Sequence, residues 1–218
     1  MGIISGANIV DNGLVYSLDA ANFRSYSGSG LTSNALVGGI GATLVNGVGF
    51  TSANGGSFLF DGADDYITLS SNSNITGIQA RTLTAWAKFN QTNTSVVCGI
   101  GLPDFFQLFE IHAYQNKMTG HRYGSEVIGT TTLSTGVWYH AAFSYDGSTS
   151  RIYVNGILEN SKDETLNTAN TPLTIGKKAY SANSNMNGLV SNVNFYNRAL
   201  SAQEIKQNYN ATKKRYGL

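Results

Sequence analysis

The last third of the chain reads Gly136-Val-Trp138-Tyr139-His140-Ala-Ala-Phe143-Ser-Tyr145-Asp146-Gly147, then Arg151-Ile-Tyr153-Val154-Asn155-Gly156, and later Gly188-Leu-Val-Ser-Asn-Val193-Asn-Phe195-Tyr196-Asn197-Arg198-Ala199-Leu200-Ser201. Apolar residues alternate along it, which is the period of a strand with one buried face. Two tight turns interrupt the alternation. Asn155-Gly156 is the stronger hairpin signal, because a type I′ turn needs positive φ at both central residues and Asn and Gly tolerate it. Asp146-Gly147 marks a second turn one strand earlier. The spacing predicts three consecutive antiparallel strands, at about 138–145, 150–154 and 157–160.

Strand signals continue upstream. Val15, Leu18, Phe58, Phe60, Tyr66, Ile67 and Leu69 fall in short runs separated by Gly and Asn clusters. A further hairpin is predicted at about 105–114 and 118–123, turning at Gln115-Asn116-Lys117. Residues 24–48 are rich in Gly and Ser and read as a long surface loop. Regular short strands with polar turns indicate a sandwich rather than βαβ units. One helix is signalled. Ser201-Ala-Gln-Glu204 is a capping box, in which hydroxyl and carboxylate each satisfy a free backbone N–H, and Leu200 and Ile205 are spaced as a hydrophobic staple. The helix is expected over about 202–211, within a single domain spanning 1–218 whose helix and tail occupy 200–218.

Composition narrows the function. A chain of 218 residues can bury about 70% of its unfolded surface as one domain. Charged residues make up 12%, against roughly 25% in average soluble domains, so Ser, Thr, Asn and Gly must cover the surface. Such a surface suits hydrogen bonding to sugars or to neighbouring subunits, or is simply that of a neutral β protein. A net charge of +1 argues against a nucleic-acid or polyanion binder. Cys98 is the single cysteine, so no intrachain disulfide forms, and it reads as a buried thiol. Neither a secretory leader nor an apolar run long enough to insert in a membrane is visible.

The search for chemistry is mostly negative. Retaining glycosidases need two carboxylates about 5–5.5 Å apart. On a strand these would recur at alternate positions, and no such pattern exists here. No enzyme activity is therefore expected. Glu110, His112 and Tyr114 share one face of a strand, with His121 and Tyr123 on its expected partner. That row is either a sugar-binding platform, an interface, or an ordinary solvent-facing sheet surface. Trp86 and Trp138 read as core anchors of the two sheets. Asp61-Gly-Ala-Asp64-Asp65 offers oxygens suited to calcium, with Asp19 on a strand that could lie near it, or else shapes turns. No other cofactor is expected.

The ordered motifs resemble the laminin-G-like branch of the concanavalin A-like lectin and glucanase superfamily. Gly13-Leu-Val-Tyr16-Ser-Leu18-Asp19-Ala20-Ala-Asn22, Gly55-Gly-Ser-Phe58-Leu-Phe60-Asp61-Gly62-Ala-Asp64-Asp65-Tyr66-Ile67 and Arg81-Thr-Leu83-Thr-Ala-Trp86-Ala-Lys88-Phe89 are similar to its early strands, in the same order. The segment at about 95–130 has no such match. The resemblance implies an all-β, two-sheet antiparallel jelly-roll-like sandwich with one short C-terminal helix, and a structural role for His140. Many relatives in that branch hold a structural calcium partly through an Asp in the last strand, and Ser191 stands at that place here, a departure that counts against the ion. Leu18-Asp19-Ala20-Ala21-Asn22, Asn54-Gly55-Gly56-Ser57-Phe58 and the ending Asn208-Tyr209-Asn210-Ala211-Thr212-Lys213-Lys214-Arg215-Tyr216-Gly217-Leu218 resemble laminin-G-like proteins of tailed bacteriophages.

That resemblance implies a non-enzymatic structural protein on the virion exterior, as a head decoration or as a head or tail fibre. Its partners would be other virion proteins, copies of itself as a homo-oligomer, and host-surface glycans. A free carbohydrate-binding lectin module is the alternative, and a glycan-active enzyme a third class. Tyr209, Lys213, Lys214, Arg215 and Tyr216 would form an assembly tail, dispensable for the fold, although the basic run also suits a solvated helix C-terminus.

Overall fold

The computed structural model describes residues 8–177 and 185–218. In chain order the first strands are β1 (Leu14–Asp19), β2 (Thr32–Asn34), β3 (Gly41–Val45), β4 (Gly49–Thr51), β5 (Ser57–Asp61) and β6 (Tyr66–Asn72). They are followed by β7 (Arg81–Phe89), β8 (Thr94–Gly101), β9 (Leu108–Tyr114), β10 (Lys117–His121) and β11 (Glu126–Thr132). The last are β12 (Trp138–Tyr145), β13 (Thr149–Val154), β14 (Ile157–Asp163), β15 (Pro172–Ile175) and β16 (Asn187–Tyr196), before helix α1 (Ala202–Thr212) and a 3₁₀ turn, Lys213–Tyr216.

The strands form two antiparallel sheets, the sandwich with one short C-terminal helix that the sequence predicts. The first sheet runs β14-β13-β12-β7-β16-β5-β4, with β1 also paired to β16. The second runs β11-β10-β9-β8-β15-β6-β3-β2. Alternation decides which residues meet between them. Leu83, Ala85, Ala87 and Phe89 of β7 face Phe109 and Ile111 of β9 in one continuous core. Phe109 and Phe143 stack across the gap with ring centroids 4.2 Å apart. Arg81 is buried in the same layer, its guanidinium 5.3 Å from the Phe109 ring and 5.4 Å from Tyr145. Burial pushes its pKa down to about 10, so it stays charged at neutral pH, donating to the Gly77 carbonyl at 2.6 Å.

The three decisive strands form as read. They are β12, β13 and β14, the last extending to Asp163. Asn155 and Gly156 take φ of 52° and 78°, as a type I′ turn requires. Asn155 does more than turn, because its side-chain oxygen accepts from the His140 N–H at 3.0 Å. The capping box also forms: Glu204 N–H donates to Ser201 Oγ at 3.3 Å, and Ser201 N–H donates to Glu204 Oε2 at 2.8 Å. Arg198 grips the same carboxylate with a fork at 2.9 and 2.6 Å, and this hydrogen bonding is the main reason the Glu204 pKa drops to about 2.

Three expectations need correction. Residues 24–48 are not one loop, since β2 and β3 lie there and extend the second sheet beyond β6. Only Ala42 and Leu44 of β3 enter the core, too short an apolar pattern to stand out among Gly and Thr. Trp86 and Trp138 are not anchors of two sheets. Both lie on the outer face of the first sheet, in a separate cluster with Tyr216. Finally, β9 begins at Leu108 and β10 ends at His121.

Two outcomes follow from these contacts. A Cβ on Gly156 would stand 3.2 Å from both Lys206 Cα and Tyr209 Cβ, at a left-handed φ. Gly156→Ala should cost about 1–2 kcal/mol, read as a lower urea midpoint with an unchanged m-value. Because the folded pKa of Glu204 lies below its ordinary 4.5, its contribution is complete above that pH. It declines as pH falls toward about 2. Acid titration of thermal stability should therefore be shallower in Glu204→Gln than in the wild type.

Candidate functional site

Alternation along β9 sends Phe109, Ile111 and Ala113 into the core and Leu108, Glu110, His112 and Tyr114 to the opposite face. That face is not solvent-exposed at Glu110 and His112, whose side chains retain 2% and 1% of their exposure. The ordinary solvent-facing reading of this row is thus overturned. Antiparallel register sets His121 opposite Glu110 on one side and opposite Glu126 on the other. The His112 and His121 rings lie 4.8 Å apart at 70°, and the Tyr114 ring meets His112 edge-on at 5.6 Å. Glu110 Oε1 is 3.4 Å from His112 Nδ1, and Glu126 Oε1 is 3.2 Å from His121 Nδ1.

Four of the five row residues, Glu110, His112, Tyr114 and His121, are thus brought together. Tyr123 is not, because it follows the end of β10 at φ 41° and packs against Phe105. Glu126 joins the cluster without having been foreseen. Its signal was the register of a second tight hairpin, β10 to β11, which brings Glu126 across from His121.

Beside Glu110 the sheet surface is hollow. Gly99 and Gly101 of β8 lie opposite Glu110 and Leu108. A Cβ at Gly99 would come within 2.8 Å of Glu110 Cβ, so glycine is what lets Glu110 lie against β8. The cavity holds about 180 Å³ and is walled by Tyr66, Thr68, Thr174 and Lys177, with Glu110 in its lining. Lys177 Nζ sits 4.1 Å from the centroid of the Tyr66 ring. An ammonium, a carboxylate, two threonines and an aromatic ring thus converge on one small trough. The Cys98-Gly99-Ile100-Gly101 alternation carried this information, since two glycines at period 2 leave one strand face bare.

The opposite sheet is covered by the chain's own end. Tyr216 stacks on Trp86 at 4.0 Å and leans on Trp138 at 4.7 Å, while Trp86 Nε1 donates to Thr212 Oγ1 at 2.8 Å. Tyr209 also stacks on Trp86, at 5.8 Å. Beneath them, burial pushes the pKa of His140 down to about 3, so the ring is neutral. Arg215 donates through Nε to the Asn54 carbonyl at 2.6 Å, through one terminal nitrogen to Asp19 Oδ1 at 2.7 Å, and through the other to the Gly56 carbonyl at 2.7 Å. The second terminal nitrogen also meets Ser191 Oγ.

The expected assembly tail is therefore folded against its own sheet. Arg215 and Tyr216 are committed internally, Lys213 is half-buried and Lys214 is exposed. The reason is that two outward-facing tryptophans need a cover. The calcium implied around Asp19 does not fit, because the guanidinium fills the oxygen set of Asp19, Asn54, Gly56 and Ser191. Asp61 and Asp64 instead gather with Asp65. There Asp61 Oδ1 accepts from the Ala63 N–H at 2.7 Å and Asp65 Oδ2 from the Asp61 N–H at 3.1 Å, closing a turn.

Two stacked antiparallel sheets with a last strand at the centre of one of them agree with a match of residues 61–206 to the Laminin_G_3 family model, of the concanavalin A-like lectin/glucanases superfamily. The chain belongs to this family. The match spans the middle segment for which no resemblance was found in the sequence. No curated protein matches the sequence. Among solved structures, domain 4 of AbnA, an extracellular GH43 arabinanase of Geobacillus stearothermophilus in complex with arabinotriose, superposes with a TM-score of 0.69 at 18% identity, over 90% of this chain and 98% of that one.

Trypanosoma rangeli sialidase, in complex with sialic acid, gives a TM-score of 0.71 at 16% identity, over 96% of this chain but 35% of the sialidase. The ligand binding domain of botulinum neurotoxin serotype D, in complex with N-acetylneuraminic acid, gives 0.67 at 14%, over 90% of this chain and 50% of that one. At these identities the likeness establishes a lectin-like fold.

For this laminin-G-like domain the tail should be part of the folding unit. Arg215→Ala removes a charged hydrogen-bond set and should destabilise by about 2 kcal/mol. Deleting residues 212–218 uncovers Trp86 and Trp138 and should cost more, with intrinsic fluorescence shifting to longer wavelength. A truncated chain as stable as the full one would show the tail to be ornamental.

Proposed function

We propose that this chain is a non-enzymatic carbohydrate-binding module whose sugar site is the trough over β8, between Tyr66, Lys177 and Glu110. The observation that carries the reading is a cavity of about 180 Å³ lined by Gly99 and Gly101 of β8 and by the buried Glu110 carboxylate. Sites for drug-sized ligands run roughly 300–1,000 Å³, so this one suits a single ring or a chain end. Glu110, Thr68 and Thr174 supply hydroxyl partners, Tyr66 a ring face and Lys177 a cation. That related folds have been solved with arabinotriose and with sialic acids adds support. Among the described residues Glu110 is the one carboxylate lining the trough, which suits binding better than a hydrolysis that needs two.

The low charge and the resemblance of several motifs to those of phage laminin-G-like proteins support display on the exterior of a tailed-phage particle. There the chain would sit among other virion proteins and copies of itself, with the trough facing host glycans. Detection of the chain in purified particles by mass spectrometry checks that setting.

A glycan array followed by titration calorimetry tests the binding itself. Lys177→Ala and Tyr66→Ala should each weaken the best ligand about tenfold, the loss of roughly 1.4 kcal/mol, with thermal stability of each variant measured alongside. The bound glycan should be recovered intact. Binding that neither variant alters, or cleavage that Glu110→Gln abolishes, would overturn the reading.

A further inference from the structure

We propose that His112, His121 and Glu126 form a binding site for a first-row transition metal, with zinc(II) as its natural occupant, and that Glu110 is the positioning residue behind His112. One ligand atom from each of the three residues lies within 4.8 Å of the others. Zinc takes imidazole nitrogen and carboxylate oxygen at about 2.0–2.2 Å, which sets tetrahedral donors roughly 3.4 Å apart. The His121–Glu126 pair is already at 3.2 Å, so closure needs a small rotation of side chains on neighbouring strands.

The wider surroundings have the order a metal site requires. Glu110 Oε1 stands 3.4 Å from His112 Nδ1, so Nε2 is the ring atom that would bind the ion. A carboxylate behind a histidine fixes its tautomer and raises its basicity as a ligand. Glu126 keeps 27% of its side-chain exposure and marks the way in. Two imidazoles favour zinc over calcium or magnesium, which take oxygen.

Among the described residues the other candidate ligand group, Asp61, Asp64 and Asp65, offers oxygen alone. The chain has three histidines, and His140 is fully buried in the other sheet. Cys98 belongs to the core between the sheets, where burial pushes its thiol pKa well up.

The test uses the full chain, stripped with a chelator and titrated with zinc chloride by calorimetry. Cobalt(II) absorption then reports the ligand geometry. One zinc per chain is expected, with a rise in melting temperature that the chelator reverses and no comparable response to calcium. Glu126→Gln keeps shape at a half-exposed position, and with His121→Gln it should reduce affinity at least about 100-fold. Glu110→Gln should cost roughly 10–100-fold and alter the cobalt spectrum, as a positioning residue does and a bystander does not. Near-UV circular dichroism of the metal-free variants separates lost binding from lost folding. Absence of zinc binding by the wild type, or binding that a folded Glu126→Gln retains at full strength, would overturn the proposal.

Discussion

One strand sets the plan of the molecule. β16 pairs with β7 along one edge, while on its other edge β5 occupies the first half and β1 the second. The handover falls at Ser191-Asn192, where the ladder to β7 slips between Val190 and Val193. A slip leaves backbone groups that need partners. Ser191 Oγ donates to the Gly56 carbonyl at 2.7 Å, the Ser191 carbonyl accepts from the Ala20 N–H at 2.9 Å, and Asn192 Nδ2 donates to the Leu18 carbonyl at 3.3 Å. Two segments from the first third of the chain are thus tied to a strand made near its end.

Arg215 belongs to that same junction. Its guanidinium collects oxygens from β1, from the turn before β5 and from β16, so the end of the chain closes the seam that β16 opens. A fixed cation at this point needs no dissolved ion and is present whenever the chain is folded. Tyr216 follows in the next position and covers the two tryptophans. Holding the seam and covering the apolar outer face are therefore one act of docking.

The two sheets spend their outer faces differently. The first is sealed by α1 and the tail, which turns Trp86, His140 and Trp138 into a second, minor core. The second sheet keeps an open trough at β8 and, beside it, a set of polar groups at β9, β10 and β11. Buried polar groups are costly unless they satisfy one another, so a sheet face that concentrates two carboxylates and two imidazoles is organised around them. The glycines of β8 and the imidazoles of β9 and β10 make this the chemically distinctive side of the sandwich.

Sequence alone determined the elements whose signals are local. The I′ turn at Asn155-Gly156, the capping box at Ser201 and the alternation of β12 and β13 depend on φ preference, on hydrogen bonds within four residues and on period 2. The row of Glu110, His112 and Tyr114 was legible for the same reason, because neighbours on one strand face are fixed by spacing. Tertiary structure decided whatever depended on what lies across a strand or over a face. Whether that row met water, that Glu126 would join it, that Tyr123 would not, and that Trp86 and Trp138 would sit together outside the core were questions of register and covering layers. The tail carried the largest reversal, at Arg215 and Tyr216, since such an end reads as solvated until the carbonyls, carboxylate and tryptophans that receive these two residues have been gathered from positions far away in the chain.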